Sequence, residues 1–337
     1  MKGIFKTMMT ALFIIQATYF LNAQDSKIFW REVSTIPVSG ERLTVPSSYR
    51  ALNLDLNLLQ QYLNTAKAEP SQTANLKNGL MLELPMPDGS FERFSIFQYN
   101  VMHPDLAAKF PQIKTYTGQG IDDVTATIKL DVTQFGFHAM IRSSKGDVYI
   151  DPYNQNTVNY YMSYERKNLI RQNSFECLLA DETAMEIQNA NGNTVQRTNG
   201  TQLRTYRLAL ACTGEYAAFY GGTVSGAMAG MVTTMNRVNG VYESELSIRM
   251  VMVANNNLIV YTNSSSDPYT NNNGSTMLSQ NQTTCDNIIG SSNYDIGHVF
   301  STGGGGVAYL GCVCSSSNKA KGVTGNGAPS GDGFDID

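Results

Sequence analysis

Two textures of hydrophobic and polar positions divide the chain. From Ile28 to about Arg171 the apolar residues fall in short runs separated by turn residues. Phe91–Tyr99 (F-E-R-F-S-I-F-Q-Y) alternates imperfectly and is rich in aromatics, and Ile121–Val132, Phe135–Ile141 and Asp147–Asp151 follow at close spacing. Gly136 and the turn Ser143-Ser144-Lys145-Gly146 punctuate them, which predicts successive antiparallel hairpins. Leu52–Thr65 departs from this texture, because Leu52, Leu56, Leu59 and Leu63 share one helical face and predict a helix. Residues 24–175 therefore read as an α+β domain, an antiparallel sheet plus a helix. No constellation of catalytic residues stands out in it.

Residues 176–203 are polar, small and aperiodic, as in Asn189-Ala190-Asn191-Gly192-Asn193 and Arg197-Thr198-Asn199-Gly200. They predict an exposed linker in which Arg197, with Arg204 just beyond, would meet a processing protease. From residue 204 onward the pattern is α/β. Thr205–Cys212 is an apolar strand, Glu215–Tyr220 a short helix, and Thr223 caps a longer helix running to Glu243. Ser247–Ala254 and Leu258–Tyr261 read as strands, about Met277–Ile289 as a helix, and Tyr294–Phe300 and Gly306–Cys312 as strands; Ser315–Asp337 reads as Gly/Ser-rich coil. Alternating strands and helices predict a partly parallel sheet covered by helices.

The N-terminus adds a compartment. Lys2 and Lys6 precede an apolar run, Ala11–Leu21, and Leu21-Asn22-Ala23 offers a cleavage edge, so residues 1–23 read as a signal peptide with Gln24 as the mature start. The run is short of the ~20 apolar residues of a membrane span. The expectation is a secreted, extracellular protein with no membrane association after signal cleavage. The 337 residues carry 24 Lys+Arg against 28 Asp+Glu, a net charge of −4, and no basic cluster, which argues against a nucleic-acid partner. The five cysteines, Cys177, Cys212, Cys285, Cys312 and Cys314, allow at most two bridges, and C-x-C at 312–314 is neither a redox C-x-x-C nor half a zinc ribbon.

Familiar catalytic motifs fail on their chemistry. The run Gly303–Gly306 leads into a strand with no lysine until Lys319, so it is no phosphate loop. Gly222-Thr223-Val224-Ser225-Gly226 is misspaced for a nucleophile elbow, and His298 reads as a half-buried strand residue. The three histidines, His103, His138 and His298, are too scattered for a helical zinc pair. Asp267, Asn271, Asn272, Asn273 and Asp286 could supply calcium oxygens but lack EF-hand spacing, and the acid pairs Glu243/Glu245 and Asp335/Asp337 have no visible partner. No catalytic residue and no metal ligand is assigned to this chain.

A family pattern emerges in the C-terminal half. Tyr294-Asp295-Ile296-Gly297-His298-Val299-Phe300, Gly306-Val307-Ala308-Tyr309-Leu310-Gly311, Cys314 and Lys321-Gly322-Val323-Thr324-Gly325 together resemble the segment upstream of the zinc helix in reprolysin-like metallopeptidases of the metzincin group. Arg204–Tyr216 and Asn236–Glu243 are similar to the first strand and first long helix of the secreted bacterial branch. The resemblance covers about residues 204–337, and residues 24–203 look more loosely like that branch's prodomain.

The resemblance implies an α+β prodomain followed by an incomplete α/β metzincin-type peptidase domain, a mixed sheet with an antiparallel edge strand. The chain lacks H-E-x-x-H-x-x-G-x-x-H, so the expected precursor of a secreted zinc metalloendopeptidase would be inactive alone, either as a fragment or as a natural truncation. In the complete enzyme three histidines would hold Zn²⁺ and a glutamate would take a proton from its bound water; none would be bound by this chain. Gly306, Val307, Ala308, Tyr309 and Leu310 are the expected edge strand for a protein or peptide substrate. Cys177 is a possible latency ligand to zinc, or else a disulfide partner or a spare thiol. Cys212 with Cys312 or Cys314 is a possible bridge. The competing class is a non-catalytic exported interaction protein built on a truncated peptidase fold.

Overall fold

The computed structural model describes residues 29–37, 40–70, 78–155, 157–170, 177–178 and 202–336. The expected signal peptide and most of the linker at 176–203 lie outside the described residues.

Hairpin chemistry dominates the first part. Gly136 and Gly146 adopt φ of 108° and 119° beside two-residue turns, a conformation that side chains resist. Strands β1 (Trp30–Glu32), β2 (Arg50–Leu54), β3 (Leu80–Pro85), β4 (Phe91–Tyr99), β5 (Lys114–Gly120), β6 (Thr127–Thr133), β7 (Gly136–Ser143), β8 (Gly146–Pro152) and β9 (Tyr160–Glu165) form one antiparallel sheet. Its order is β1-β2-β9-β8-β7-β6-β5-β4-β3. The sheet curls until its ends meet. Arg50 on β2 donates from Nη1 to the carbonyls of Met86 (3.1 Å) and Ser90 (2.7 Å), and Ser163 on β9 donates to Pro85 O at 2.7 Å. Inside the curl lies an apolar core with Leu52, Leu82, Phe94, Leu130, Phe137 and Tyr161.

The helix expected over Leu52–Thr65 divides in two. Leu52 and Leu54 alternate with polar neighbours and point into the core from β2, while α1 covers Leu56–Leu63. Asp55 is the boundary, because its carboxylate accepts the Leu58 N–H at 3.0 Å and caps the helix. L-N-L-D-L carries strand period two as well as helical spacing, and the Asp cap decides between them. After β4 a single turn, α2 (Pro104–Ala107), leads into β5.

A second sheet is built from β10 (Cys177–Leu178), β11 (Arg204–Cys212), β12 (Ile248–Met252), β13 (Ile296–Ser301), β14 (Gly305–Ala308) and β15 (Gly322–Gly325). Its order is β10-β14-β15-β13-β11-β12, parallel at every pairing except β14 with β15. Helices α3 (Gly214–Phe219), α4 (Val224–Leu246), α5 (Gly274–Thr284) and α6 (Asp332–Asp335) accompany it, α5 continuing as a wider turn through Cys285–Gly290. The mixed sheet follows the expected α/β pattern, with local corrections. Leu258–Tyr261 is not a strand: Asn256–Ile259 forms a short 3-10 turn, because the Asn256 side chain is spent pairing with both the N–H and the C=O of Leu210 at 2.7 and 2.8 Å. The expected coil after Ser315 contains β15 and α6. Gly322 explains why β15 has small residues, since a Cβ there would sit 2.5 Å from the His298 ring.

Helix α4 lies between the sheets. Thr223 caps it, accepting the Gly226 N–H at 3.0 Å. Ala227, Met228, Met231, Val232 and Met235 pack with Leu208, Leu210, Met252 and Phe300 of the mixed sheet. Its buried polar residues bond both sheets. Thr233 donates to Asp131 at 2.8 Å on β6, and Asn239 pairs with both the N–H and the C=O of Met250 on β12 at 2.8 Å. A helix buried on nearly every side carries no single apolar stripe. Gly230 shows how tight the packing is, since a Cβ there would lie 2.4–2.7 Å from the Tyr220 ring, whose hydroxyl is held by Pro329 O at 2.7 Å. Alanine is favoured over glycine inside a helix by about 1 kcal/mol, but overpacking costs typically 1–3 kcal/mol. Gly230→Ala is therefore expected to lower the denaturant midpoint rather than raise it, as urea unfolding will show.

Candidate substrate-binding edge

The last rung between β14 and β15 fixes which backbone groups of β14 are free. Tyr309 N donates to Lys321 O at 3.0 Å. Antiparallel ladders alternate, so Gly305 and Val307, opposite Gly325 and Val323, turn their groups toward β15 in the same phase. Gly306 and Ala308 then direct their N–H and C=O outward. Their side-chain positions alternate too: Val307 lines a cavity of about 190 Å³ with Gly274, whereas Ala308 lines one of about 410 Å³ on the other face. Leu208, Met235, Phe300 and Phe334 make that larger cavity apolar, and His298 and Thr324 add a polar spot to its wall.

Of the predicted edge residues, Gly306, Val307 and Ala308 lie in β14, whereas Tyr309 and Leu310 lie beyond it and are 45% and 43% exposed. Gly311 and Cys314 take φ of 64° and 63°, so the chain turns away rather than continuing to Cys312 as expected. Tyr309 is held by Lys321, whose Nζ sits 4.6 Å from the ring centroid. The glycines before β14 are required by close backbone approach, since a Cβ on Gly303 would lie 2.4 Å from Asn271 O. The outward edge is occupied. β10 runs parallel along it, Cys177 opposite Gly306 and Leu178 opposite Val307.

Cys212 is bonded to neither Cys312 nor Cys314 in the structure. Cys212, Cys285, Cys312 and Cys314 are free. Cys314 N bonds Asp295 O, and Asp295 N bonds Arg207 O, which sets Cys314 beside the start of β11. Cys212 is five residues further along that strand, roughly 16 Å at about 3.3 Å per residue, while a bridge needs Cα atoms within about 7 Å. Burial pushes the Cys212 thiol well above its ordinary range and Cys285 up to about 12.

The histidines are dispersed. His103 caps α2 by accepting the Asp105 N–H at 3.3 Å, and His138 Nδ1 lies 3.1 Å from Asp131. His298 is half-buried, as expected, and bonded to Thr324 at 2.9 Å; desolvation pushes its pKa down to about 4. Among the described residues no three His, Cys, Asp or Glu side chains converge to hold a metal ion. The oxygens considered for calcium serve the backbone instead: Asp267 accepts from Gly214 N and Tyr269 N at 2.6 and 2.9 Å, and Asn271 Oδ1 accepts from Thr302 N at 3.0 Å. Asp286 is held by Tyr294 OH at 2.8 Å.

Two polar clusters between the sheets had no signal in spacing. In one, Arg237 of α4 pairs with Asp151 of β8 and, at 2.9 Å, with Asp335 of α6. In the other, Glu243 binds Lys129 and Arg249 at 2.7 Å each, and Arg249 also binds Glu69 at 2.7 Å. Although burial alone would raise it, Lys129 and Arg249 hold the Glu243 carboxyl below its usual range. The partners lie up to 180 residues apart in sequence, so only the fold assembles them.

Residues 228–337, which carry most of α4 and everything from β12 to α6, match the metallo-peptidase family M12B, reprolysin-like. This part of the chain is reprolysin-like. No curated protein matches the chain. Among solved structures, metalloproteinase-II from Bacteroides fragilis is similar at 10% identity, with 81% of this chain and 79% of that chain covered and a TM-score of 0.37. The reprolysin-like segment thus contains β14 and its outward edge, and the family ordinarily works with zinc. The described residues do not fit zinc, because their histidines are already bonded elsewhere and do not meet. For the reprolysin-like segment the thiol placement has a direct check. In a Cys177→Ala background without reductant, a maleimide should label two thiols per native chain, Cys312 and Cys314, and four after unfolding; protection of Cys212 after unfolding would restore the bridge.

Proposed function

We propose that the chain is the precursor of a secreted metalloendopeptidase, with residues 24–175 as prodomain and 204–337 as part of the peptidase domain, and that β14 binds extended protein or peptide substrates as an added strand. The observation that carries this is the outward edge of Gly306 and Ala308, set in the reprolysin-like segment and already taking a strand of this same chain. An extended peptide would use the same backbone groups that β10 uses, so the two compete. That competition is the basis of latency, with Cys177 brought to the edge by backbone pairing; removal of the 176–203 linker would free it. The complete enzyme would use zinc; this chain's described residues contribute substrate alignment and no metal ligand.

The same strand-pairing edge also serves a second function, an exported protein that binds peptides there without cleaving them. One set of measurements separates the two. A labelled extended peptide is titrated against a variant with residues 176–203 excised, and anisotropy should report binding that the intact chain resists by at least about tenfold. Ala308→Pro removes one outward N–H without touching the β15 ladder and should weaken binding by a further factor of about ten, since a hydrogen bond is worth roughly 1 kcal/mol and a displaced ring adds to that. Equal binding by the intact chain and by both variants would sink the edge assignment. Because this chain is expected to hold no zinc, cleavage is assayed on the product of the full coding sequence. Chelator-sensitive cleavage of the peptide by that product with zinc present decides for the peptidase, and binding without cleavage decides for the interaction protein.

A further inference from the structure

The cluster around Arg237 combines three buried charges in a way that a purely structural ion pair does not need. Arg237 is 2% exposed, and Asp151 and Asp335 are each 5% exposed. One guanidinium thus faces two carboxylates, an arrangement that leaves a net buried negative charge when both are ionised. The remaining lone pairs are partly served by neutral donors: Thr234 of α4 donates to Asp335 at 2.6 Å, and Tyr164 of β9 donates to Asp151 at 2.7 Å. Beneath the guanidinium lies the Tyr149 ring, 5.0 Å from Cζ to the centroid. A small cavity of about 60 Å³ adjoins the cluster and admits His138, which is bonded to Asp131. Arg42 lies over the Tyr153 and Tyr49 rings, 4.6 and 5.1 Å from their centroids, and donates from Nη2 to Met162 Sδ at 3.0 Å. Tyr220 of the α3 region lines the cavity and Tyr216 packs behind it, 5.1 Å between ring centroids, both neutral because burial pushes their hydroxyls far above the ordinary range.

What this cluster holds in place is short: α6, docked on the middle of α4 at Thr234 and Arg237. Residues 331–336 touch α4 through Asp335, and Phe334 packs against Phe300 and Tyr216 at 4.9 and 6.1 Å between ring centroids. Phe334 and Asp335 also form part of the wall of the 410 Å³ cavity under the mixed sheet. Any change in how Asp335 docks therefore changes access to that cavity.

We propose that the Asp151–Arg237–Asp335 cluster is a proton-controlled clasp: a proton on Asp335, beside the one guanidinium that serves both acids, keeps residues 331–336 docked across α4, and loss of that proton loosens the segment and opens the cavity beneath the mixed sheet. The direction follows from burial first and Asp151 second, which raise the Asp335 carboxyl from 3.8 to about 6 against the opposing pull of Arg237 and Thr234. A raised carboxyl contributes docking that is complete below its free value and is lost as pH rises through its docked value. The window is therefore about pH 4 to 6, and two units correspond to a change on the order of 100-fold in the docking equilibrium.

The test uses the full chain. Amide exchange of the peptide spanning Gly331–Ile336 is followed by mass spectrometry in wild type and Asp335→Asn at matched pH, so that intrinsic exchange cancels. The wild type should lose protection relative to Asp335→Asn by up to about 100-fold between pH 4 and pH 8, with its midpoint near 6. Asp151→Asn removes the competing carboxylate and should move that midpoint down. A wild-type to Asp335→Asn ratio that stays flat across the range overturns the clasp. Should either variant fail to fold, ¹³C carboxyl titration of the wild type decides alone: one aspartate titrating near pH 6 supports it, and none above pH 5 overturns it.

Discussion

Two ion clusters on the polar side of α4 join the curled sheet to the mixed sheet, beside a backbone link in which Met252 N donates to Val101 O and His103 N donates to Met252 O, each at 2.8 Å. A buried guanidinium deprived of its partners costs several kcal/mol, so Arg237 commits α4 to lie where Asp151 of β8 can reach it. Six residues further on, Glu243 makes the same demand of Lys129 on β6. Six residues are ~1.7 helical turns, so two separate ion clusters fix the rotation of the helix as well as its position. The apolar side of α4 supplies most of the area, but apolar contacts are non-directional and would tolerate a helix rotated by a residue. The ionic side would not.

The same helix sets the height of the mixed sheet. Asn239 pairs with the backbone of Met250, which ties α4 to β12, and Asn256 does for Leu210 what a further strand would do. Both asparagines therefore act as sheet extenders on the side of β11 away from β14. At the other end no side chain closes the sheet; β10 does it with backbone alone. The β12 end is thus finished by the Asn239 amide and by the backbone of Val101 and His103, which bonds Met252, and the β14 end by an exchangeable strand. Only the second kind of finish leaves an edge that another chain can take.

How much of this could be seen before the fold was known depended on the range of the interaction. The hairpins, the Thr223 cap and the strand at Arg204–Cys212 rest on neighbours within a few residues, and the pattern of apolar positions located them. Leu52–Leu54 went the wrong way because the same leucines satisfy both periods, and the Asp55 cap that separates strand from helix acts over only three residues. Helix α4 is legible from its cap and from the helical spacing of Ala227, Met231, Met235, Val238 and Tyr242, although burial on both sides leaves no single apolar stripe. The clusters at Arg237 and Glu243 were invisible because their members are scattered over the chain with no spacing rule. For the candidate site, glycines marked the edge, but β14 ends at Ala308 because Gly311 and Cys314 turn the backbone, which a run of apolar letters does not announce.

The histidines sharpen the division of labour. His298 is excluded from metal chemistry less by its distance from other ligands than by its environment: it bonds Thr324, packs edge-on to Phe300, and Gly322 is small so that the ring can lie flat over β15. It spaces two parallel strands. The edge at Gly306 and Ala308, by contrast, needs no ionisable group, because strand recognition is carried by N–H and C=O. A chain with 15% charged residues spends its buried charges around α4, apart from Lys319, which bonds the carbonyls of Ser291 and Tyr294, and the recognition edge costs it none. Structural polarity and recognition thus draw on different atoms, side chains for the first and backbone for the second, so altering β14 leaves the ionic clusters intact and altering Arg237 leaves the outward groups of β14 in place.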